Sequence, residues 1–163
     1  MTVLGIDPGS RVTGWGVLVR ERGRYRRIAS GAVSGAKDAT LAERLVAIHR
    51  ELARVIAAYK PDEAAVEAIF HHRSSESALK LGHARGVVLL SLAEAGVPIF
   101  EYSTTHIKKA VTGYGQADKE QIQRVVAMLL GEAVEGPADV ADAIAVAITH
   151  LAQARALTAG GAR

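Results

Sequence analysis

Val3-Leu4-Gly5-Ile6-Asp7-Pro8-Gly9-Ser10 begins with a short apolar run, places an acid at its end and follows it with a turn-forming cluster. The run reads as a strand over residues 3–7, stopped by Pro8, Gly9 and Ser10. What comes next decides the sheet. Residues 12–20 and 25–33 read as two further strands around a turn at Gly23, giving an antiparallel three-stranded meander.

Outward from the meander, helices and strands alternate. A helix begins at Thr40, where Thr40 and Glu43 have capping-box spacing. Leu41, Leu45, Ile48, Leu52, Val55 and Ile56 form its apolar stripe, and Pro61 closes it. Residues 63–67 form a short strand, 75–95 a second helix with Gly96 beyond its end, and 98–102 another strand. Helices at 104–111 and 119–130 follow, separated by Gly113-Tyr114-Gly115. The last helix starts after Gly136-Pro137 and runs to about Leu157. A meander followed by helix–strand–helix–strand–helix predicts an α/β fold, a five-stranded mixed sheet with helices on both faces. This order is the ribonuclease H-like pattern. One domain is expected over residues 1–157, with a flexible tail at 158–163.

Composition agrees with a single globular unit. A chain of 163 residues buries roughly two-thirds of its unfolded surface, and 49% hydrophobic with 23% charged residues is ordinary for such a domain. The net charge of +3 and the sequence pI of about 9.4 lean toward a polyanionic partner. The absence of cysteine excludes disulfides and thiolate metal sites and agrees with a reducing compartment. No signal peptide and no uncharged run of about 18 apolar residues is seen. A cytoplasmic protein with no membrane segment is expected.

Four acids stand where they can meet. Asp7 and Glu67 each end a strand-like run. Asp139 and Asp142 lie one helical turn apart at the start of a strongly apolar helix, so they share a face. Singly, each has a plain reading as a turn starter, a solvated strand end or a helix N-terminal acid. Together they predict a carboxylate cluster at the carboxyl ends of neighbouring parallel strands, the usual ligand position in open α/β sheets. Two like charges 4 Å apart cost about 4 kcal/mol at an effective dielectric near 20. Divalent cations turn that cost into binding, and an all-oxygen set selects Mg²⁺ or Mn²⁺ over zinc. Two such ions suit hydrolysis of a phosphodiester.

The same residues carry a family resemblance. Gly5-Ile6-Asp7-Pro8-Gly9-Ser10-Arg11-Val12-Thr13-Gly14 resembles the opening motif of the RuvC Holliday-junction resolvases, and Ala65-Val66-Glu67-Ala68-Ile69-Phe70 their second acidic motif. Ser77-Ala78-Leu79-Lys80-Leu81-Gly82-His83-Ala84-Arg85-Gly86 is similar to the helix that follows. Asp139-Val140-Ala141-Asp142-Ala143-Ile144-Ala145 and Ala147-Ile148-Thr149-His150 resemble the C-terminal acidic helix. The likeness extends from Gly5 to about His150. It implies a homodimeric, Mg²⁺-dependent endonuclease of recombination and repair that nicks two opposing strands of a four-way DNA junction. Asp7, Glu67, Asp139 and Asp142 would be its catalytic residues and metal ligands, holding two Mg²⁺ ions per site, with Mn²⁺ able to substitute. Some relatives carry His at the position of Asp139; this chain keeps the acid. The implied products are nicks with 5′-phosphate and 3′-hydroxyl ends, and the implied partners include a RuvA–RuvB branch-migration complex.

DNA contacts are expected around the acids. Phe70 begins the loop Phe70-His71-His72-Arg73, and a stacking aromatic there is worth roughly 1–3 kcal/mol per base. Lys108 and Lys119 align with basic residues that the family uses near the scissile phosphate. Lys109 is their neighbour, and Arg73 completes the expected DNA-binding set. For Lys80 and Arg85 a solvated or structural role stands level with phosphate contact, and Arg20, Arg22, Arg24, Arg26 and Arg27 read as a solvated hairpin, with DNA contact as the alternative. His71 and His72 have no assigned role. His49, His83, His106 and His150 read as packed or solvated imidazoles without metal-site spacing. In the second helix Val87, Val88, Leu89, Leu90 and Leu92 cover more than one face, and Gly82 and Gly86 admit a second backbone, as an interface or a buried central helix requires.

Two rival readings stay open. The first motif also resembles the phosphate loop of actin-like and sugar-kinase ATPases, which need a second lobe and an adenosine site. The other rival is a non-catalytic junction-binding module, which needs no acid cluster.

Overall fold

In the computed structural model, which describes residues 1–68 and 75–160, the opening apolar run forms β1 (Thr2–Asp7) in the middle of a five-stranded sheet. Its side chains alternate across the sheet, as a period of two requires. Leu4 and Ile6 enter one core cluster and Val3 the other. β2 (Val12–Glu21) and β3 (Arg24–Ser34) form the expected meander. They reverse at Arg22 and Gly23, whose φ angles of 50° and 83° are those of a tight hairpin turn. β4 (Glu63–Ala68) and β5 (Ile99–Ser103) run parallel to β1, and the strand order is β3-β2-β1-β4-β5. This is the ribonuclease H-like arrangement expected from the element order.

Helices cover both faces. On one side α1 (Leu41–Tyr59) and α2 (Ser75–Glu94) place Ile48, Leu52, Val55, Ala84, Val88 and Leu92 against Leu4, Ile6 and Val66. The capping box at Thr40 and Glu43 forms, and Lys60 ends α1 in the left-handed region just before Pro61. On the other side lie α3 (Thr104–Thr112), α4 (Lys119–Leu130) and α5 (Ala138–Gly160). None of the described helices is long and apolar enough to cross a membrane.

α5 is the deepest helix, buried from Ala143 to Leu151 without interruption. Gly5, Gly14 and Gly16 let it lie that close to the sheet. A Cβ at Gly5 would stand 2.2 Å from the carbonyl oxygen of Ala143, and one at Gly14 would stand 2.0 Å from that of Asp139. At its other end, His150 receives the Tyr102 hydroxyl at Nδ1 (2.7 Å) and faces Glu63 Oε2 with Nε2 (2.5 Å). α5 runs three residues past its expected end, to Gly160, because Ala152, Ala154 and Ala156 extend a run of strong helix formers. The expected tail at 158–163 thus loses its first three residues to the helix, and 161–163 lie outside the described residues. So do Phe70, His71, His72 and Arg73.

Candidate active site

Strand parity places the first two acids. Val3 and Ala65 face the α5 side of the sheet, so Asp7 and Glu67, an even number of residues onward, face it too. Ile6 pairs with Val66 across the parallel β1–β4 ladder, which sets Asp7 beside Glu67 at the carboxyl ends of both strands, and their side chains hydrogen-bond. β5 ends at the same edge. The first residue of α3, Thr104, donates its hydroxyl to Glu67 Oε1.

The other two acids come from the first turn of α5. Asp139 sits directly over Gly14, and its Oδ1 lies 3.7 Å from where a side chain on Gly9 would begin. The loop carrying Gly9 is fastened by the buried hydroxyl of Thr13, which donates to Gly9 O and accepts from Gly9 N–H. The Asp142 side chain, only 15% exposed, has the Lys119 ammonium 3.6 Å away. Lys119 is the first residue of α4, a position where the helix dipole opposes a cation. Its place there is offset by Asp142. All four acids, with Lys108 and Lys119, line one cavity of about 580 Å³.

The charges are in conflict. Burial, then Glu67 and Asp142 and finally Asp139, push the Asp7 carboxyl up to about 9. Asp142 is raised as well, first by burial, with Lys119 pulling it back and Glu67 and Asp139 adding to the rise. A site that forces one carboxyl to hold its proton near neutrality is one where a cation is better accommodated. The donor set is all carboxylate, which fits a hard divalent ion such as Mg²⁺ or Mn²⁺. The acids line the cavity without closing on one point: among the described residues no three His, Asp or Glu side chains already enclose an ion position.

Of the basic residues singled out from the sequence, Lys108 and Lys119 reach the cavity, whereas Lys109 is exposed outside it. Lys80 pairs with Glu76, and Arg85 with Glu101. In the hairpin, Arg26 pairs with Glu21, Arg27 with Glu132, and Arg20 lies over the Tyr25 ring. That hairpin is at the far end of the sheet, since β1 meets β2 at Asp7↔Gly14 near the acids and at Thr2↔Val19 near the turn. Sequence reasoning missed Thr104, Thr13 and the seat made by Gly5 and Gly14. The available signal for Thr104 was its place just after the third parallel strand.

Residues 3–150 match the family model for "Crossover junction endodeoxyribonuclease RuvC". The chain belongs to the RuvC family. RuvC of Sorangium cellulosum is 50% identical over 165 residues, spanning 99% of this chain and 92% of that protein. RuvC of Rhodopseudomonas palustris is 51% identical over 148 residues, spanning 91% and 85%. Among solved structures, Thermus thermophilus RuvC superposes with a TM-score of 0.87 at 36% identity, covering 97% of this chain and 98% of that one. The T. thermophilus RuvC in complex with Holliday junction substrate gives 0.86 at 34%, covering 96% of both chains. The yeast mitochondrial Holliday junction resolvase, at 10% identity and a TM-score of 0.68 over 96% of this chain and 82% of that one, shares the fold. RuvC membership over nearly the whole chain disfavours the actin-like and sugar-kinase reading.

Proposed function

We propose that the chain resolves four-way DNA junctions by paired, symmetric hydrolytic nicks. The observation that carries this reading is the convergence of Asp7, Glu67, Asp139 and Asp142 on one cavity that Lys108 and Lys119 also line. The four acids would hold two Mg²⁺ ions, with Mn²⁺ able to substitute, and such ions would supply activation of a water and charge stabilisation at the leaving oxygen. The chain's own residues do the rest. Lys108 and Lys119 neutralise the nonbridging oxygens of the scissile phosphate and fix its register. Thr104 occupies one oxygen of Glu67 and so holds that carboxylate in orientation. Half-burial of the acids limits water, which strengthens each of these interactions. The products are nicks with 5′-phosphate and 3′-hydroxyl ends, and Phe70 and Arg73 contact the DNA.

Two symmetric nicks require two sites, hence a two-fold dimer. α2 supplies a suitable face: Leu79 and Leu90 are 64% and 53% exposed, and Gly82 and Gly86 between them have open space above. Residues at this spacing share one side of a helix. We place the work of this dimer in the cytoplasm, alongside a RuvA–RuvB branch-migration complex.

The test is a synthetic four-way junction incubated with the protein and Mg²⁺ beside Asp7→Asn. Paired nicks in the wild type, and binding without cleavage in the variant, are expected. A junction bound but left intact by the wild type in Mg²⁺ would favour the non-catalytic module, and equal cutting of linear duplex would refute junction selectivity.

A further inference from the structure

Tyr114 stands on the connection between α3 and α4, between Gly113 and Gly115, and is 61% exposed. Single exposed aromatics are common enough that exposure alone decides nothing. Its setting decides more. The backbone around it is held: the Tyr114 N–H donates to Thr112 Oγ1 at 3.1 Å, and the Ala117 N–H donates to the Tyr114 carbonyl at 3.2 Å. Gly113 caps α3 by donating its N–H to Lys109 O at 2.9 Å, with φ of 78°. The connection then folds back along α3, so that a Cβ on Gly115 would stand 3.1 Å from Thr105 Cγ2. Thr105 adjoins Thr104, whose hydroxyl holds Glu67. The aromatic is therefore presented on an ordered turn that joins the two helices carrying Lys108 and Lys119, just outside the residues that line the acidic cavity.

The neighbours supply the chemistry. Lys108 and Lys119, on the two helices that this connection joins, line the cavity, and Lys109 is exposed on the same helix as Lys108. The phenol hydroxyl has no protein partner among the described residues. An exposed ring on the turn between two helices that each carry a cavity lysine, fixed at the backbone, suits the way proteins hold single-stranded nucleic acid, with phosphates on the cations and bases on the ring faces.

We infer that Tyr114 is a base-stacking residue. Its ring takes the face of an unpaired nucleobase in the strand whose phosphate lies at Lys108 and Lys119. The inference rests on the nuclease reading of this site and adds a specificity element to it: a base is available for stacking at a junction and not inside an intact duplex.

The experiment compares wild type, Tyr114→Ala, Tyr114→Phe and Lys108→Ala on a four-way junction carrying 2-aminopurine beside the cleaved position. Expected for Tyr114→Ala are about fivefold or weaker junction binding, loss of the 2-aminopurine fluorescence change, an unaltered duplex affinity and an unaltered melting temperature. Its salt slope stays at the wild-type value, because a neutral ring releases no counterions, whereas Lys108→Ala lowers the slope by about one. Tyr114→Phe restores binding and fluorescence. The inference is overturned if Tyr114→Ala binds the junction like wild type, if junction and duplex binding fall together, or if Tyr114→Phe is as weak as Tyr114→Ala, which would assign the effect to the hydroxyl. Failure of the nuclease reading is a separate result: wild type that leaves the junction uncut in Mg²⁺ while the fluorescence change still depends on Tyr114.

Discussion

An alanine at position 14 would put a methyl carbon 2.0 Å from the carbonyl oxygen of Asp139, 2.3 Å from its carbonyl carbon and 3.0 Å from Val140 N. Real Cβ atoms essentially never approach closer than 3.0 Å, so the first turn of α5 must retreat by at least about 1 Å. The obstructing atoms are backbone, and no rotamer change relieves them. Nor can α5 simply rock, because Gly5 receives it just as closely one turn further on, at Ala143. Overpacking of this kind costs about 1–3 kcal/mol, or roughly 2–4 °C of melting temperature per kcal/mol in a domain of this size. The catalytic cost is larger. A misplacement of about 1 Å reduces rate on the order of 10²-fold, and here it moves Asp139 and Asp142 together relative to Asp7 and Glu67. Gly14→Ala is therefore expected to remain folded by circular dichroism while its single-turnover junction cleavage falls about a hundredfold. Gly16→Ala is the contrast, because its nearest obstacle, at 2.7 Å, is a side-chain atom, Cγ1 of Ile144, rather than the backbone of the acid-bearing turn. A folded Gly14→Ala protein that cuts within about threefold of wild type would refute the claim that this contact sets the acid geometry.

Without divalent ions, the protein should lose stability as pH rises. The folded state holds the Asp7 proton up to about 9 against an ordinary value of 3.8, so it binds more protons than the unfolded chain, and stability falls as pH climbs through that window. Melting curves in chelator from pH 4 to pH 9 check this; Asp7→Asn should flatten the slope, and a wild-type slope of the opposite sign would contradict it. Lys119→Ala removes the cation that pulls Asp142 down, so the acidic limb of the cleavage pH profile should move upward along with a loss of rate, and an unmoved limb would count against the pairing. Leu90→Arg on the exposed face of α2 should shift the protein from dimer to monomer in sedimentation and convert paired nicks to isolated ones; an unchanged dimer would rule out that face.

Much of this was legible in the sequence because it depends on local rules. The meander follows from strand runs punctuated by Pro8-Gly9-Ser10 and Gly23, and α1 from the Thr40–Glu43 box and its apolar stripe. Asp7 and Glu67 could be matched because each ends an apolar run and parallel neighbours align their ends. Asp139 and Asp142 needed only helical spacing. The features that escaped are non-local. Gly5 and Gly14 look like ordinary strand glycines until a helix more than 120 residues later is laid on them. Thr104 touches Glu67 only once β5 pairs with β4, and nothing in its own neighbourhood announces that. The length of α5 was cut short because its last turns are alanine-rich without an apolar stripe to mark them.

The placing of two acids on α5 also has a meaning for synthesis. The five strands of the sheet are complete by Ser103, with Asp7 and Glu67 then already in the chain and Thr104 the next residue. Two of the four acids, Asp139 and Asp142, however, arrive only with Ala138–Gly160, the last of the described elements. Domains emerge from the ribosome N-terminus first, so a growing chain holds every strand before it holds the helix that completes the proposed acid set and covers one sheet face. On the proposed reading, then, a chain that stops before α5 carries only two of the four acids that would hold the metal ions.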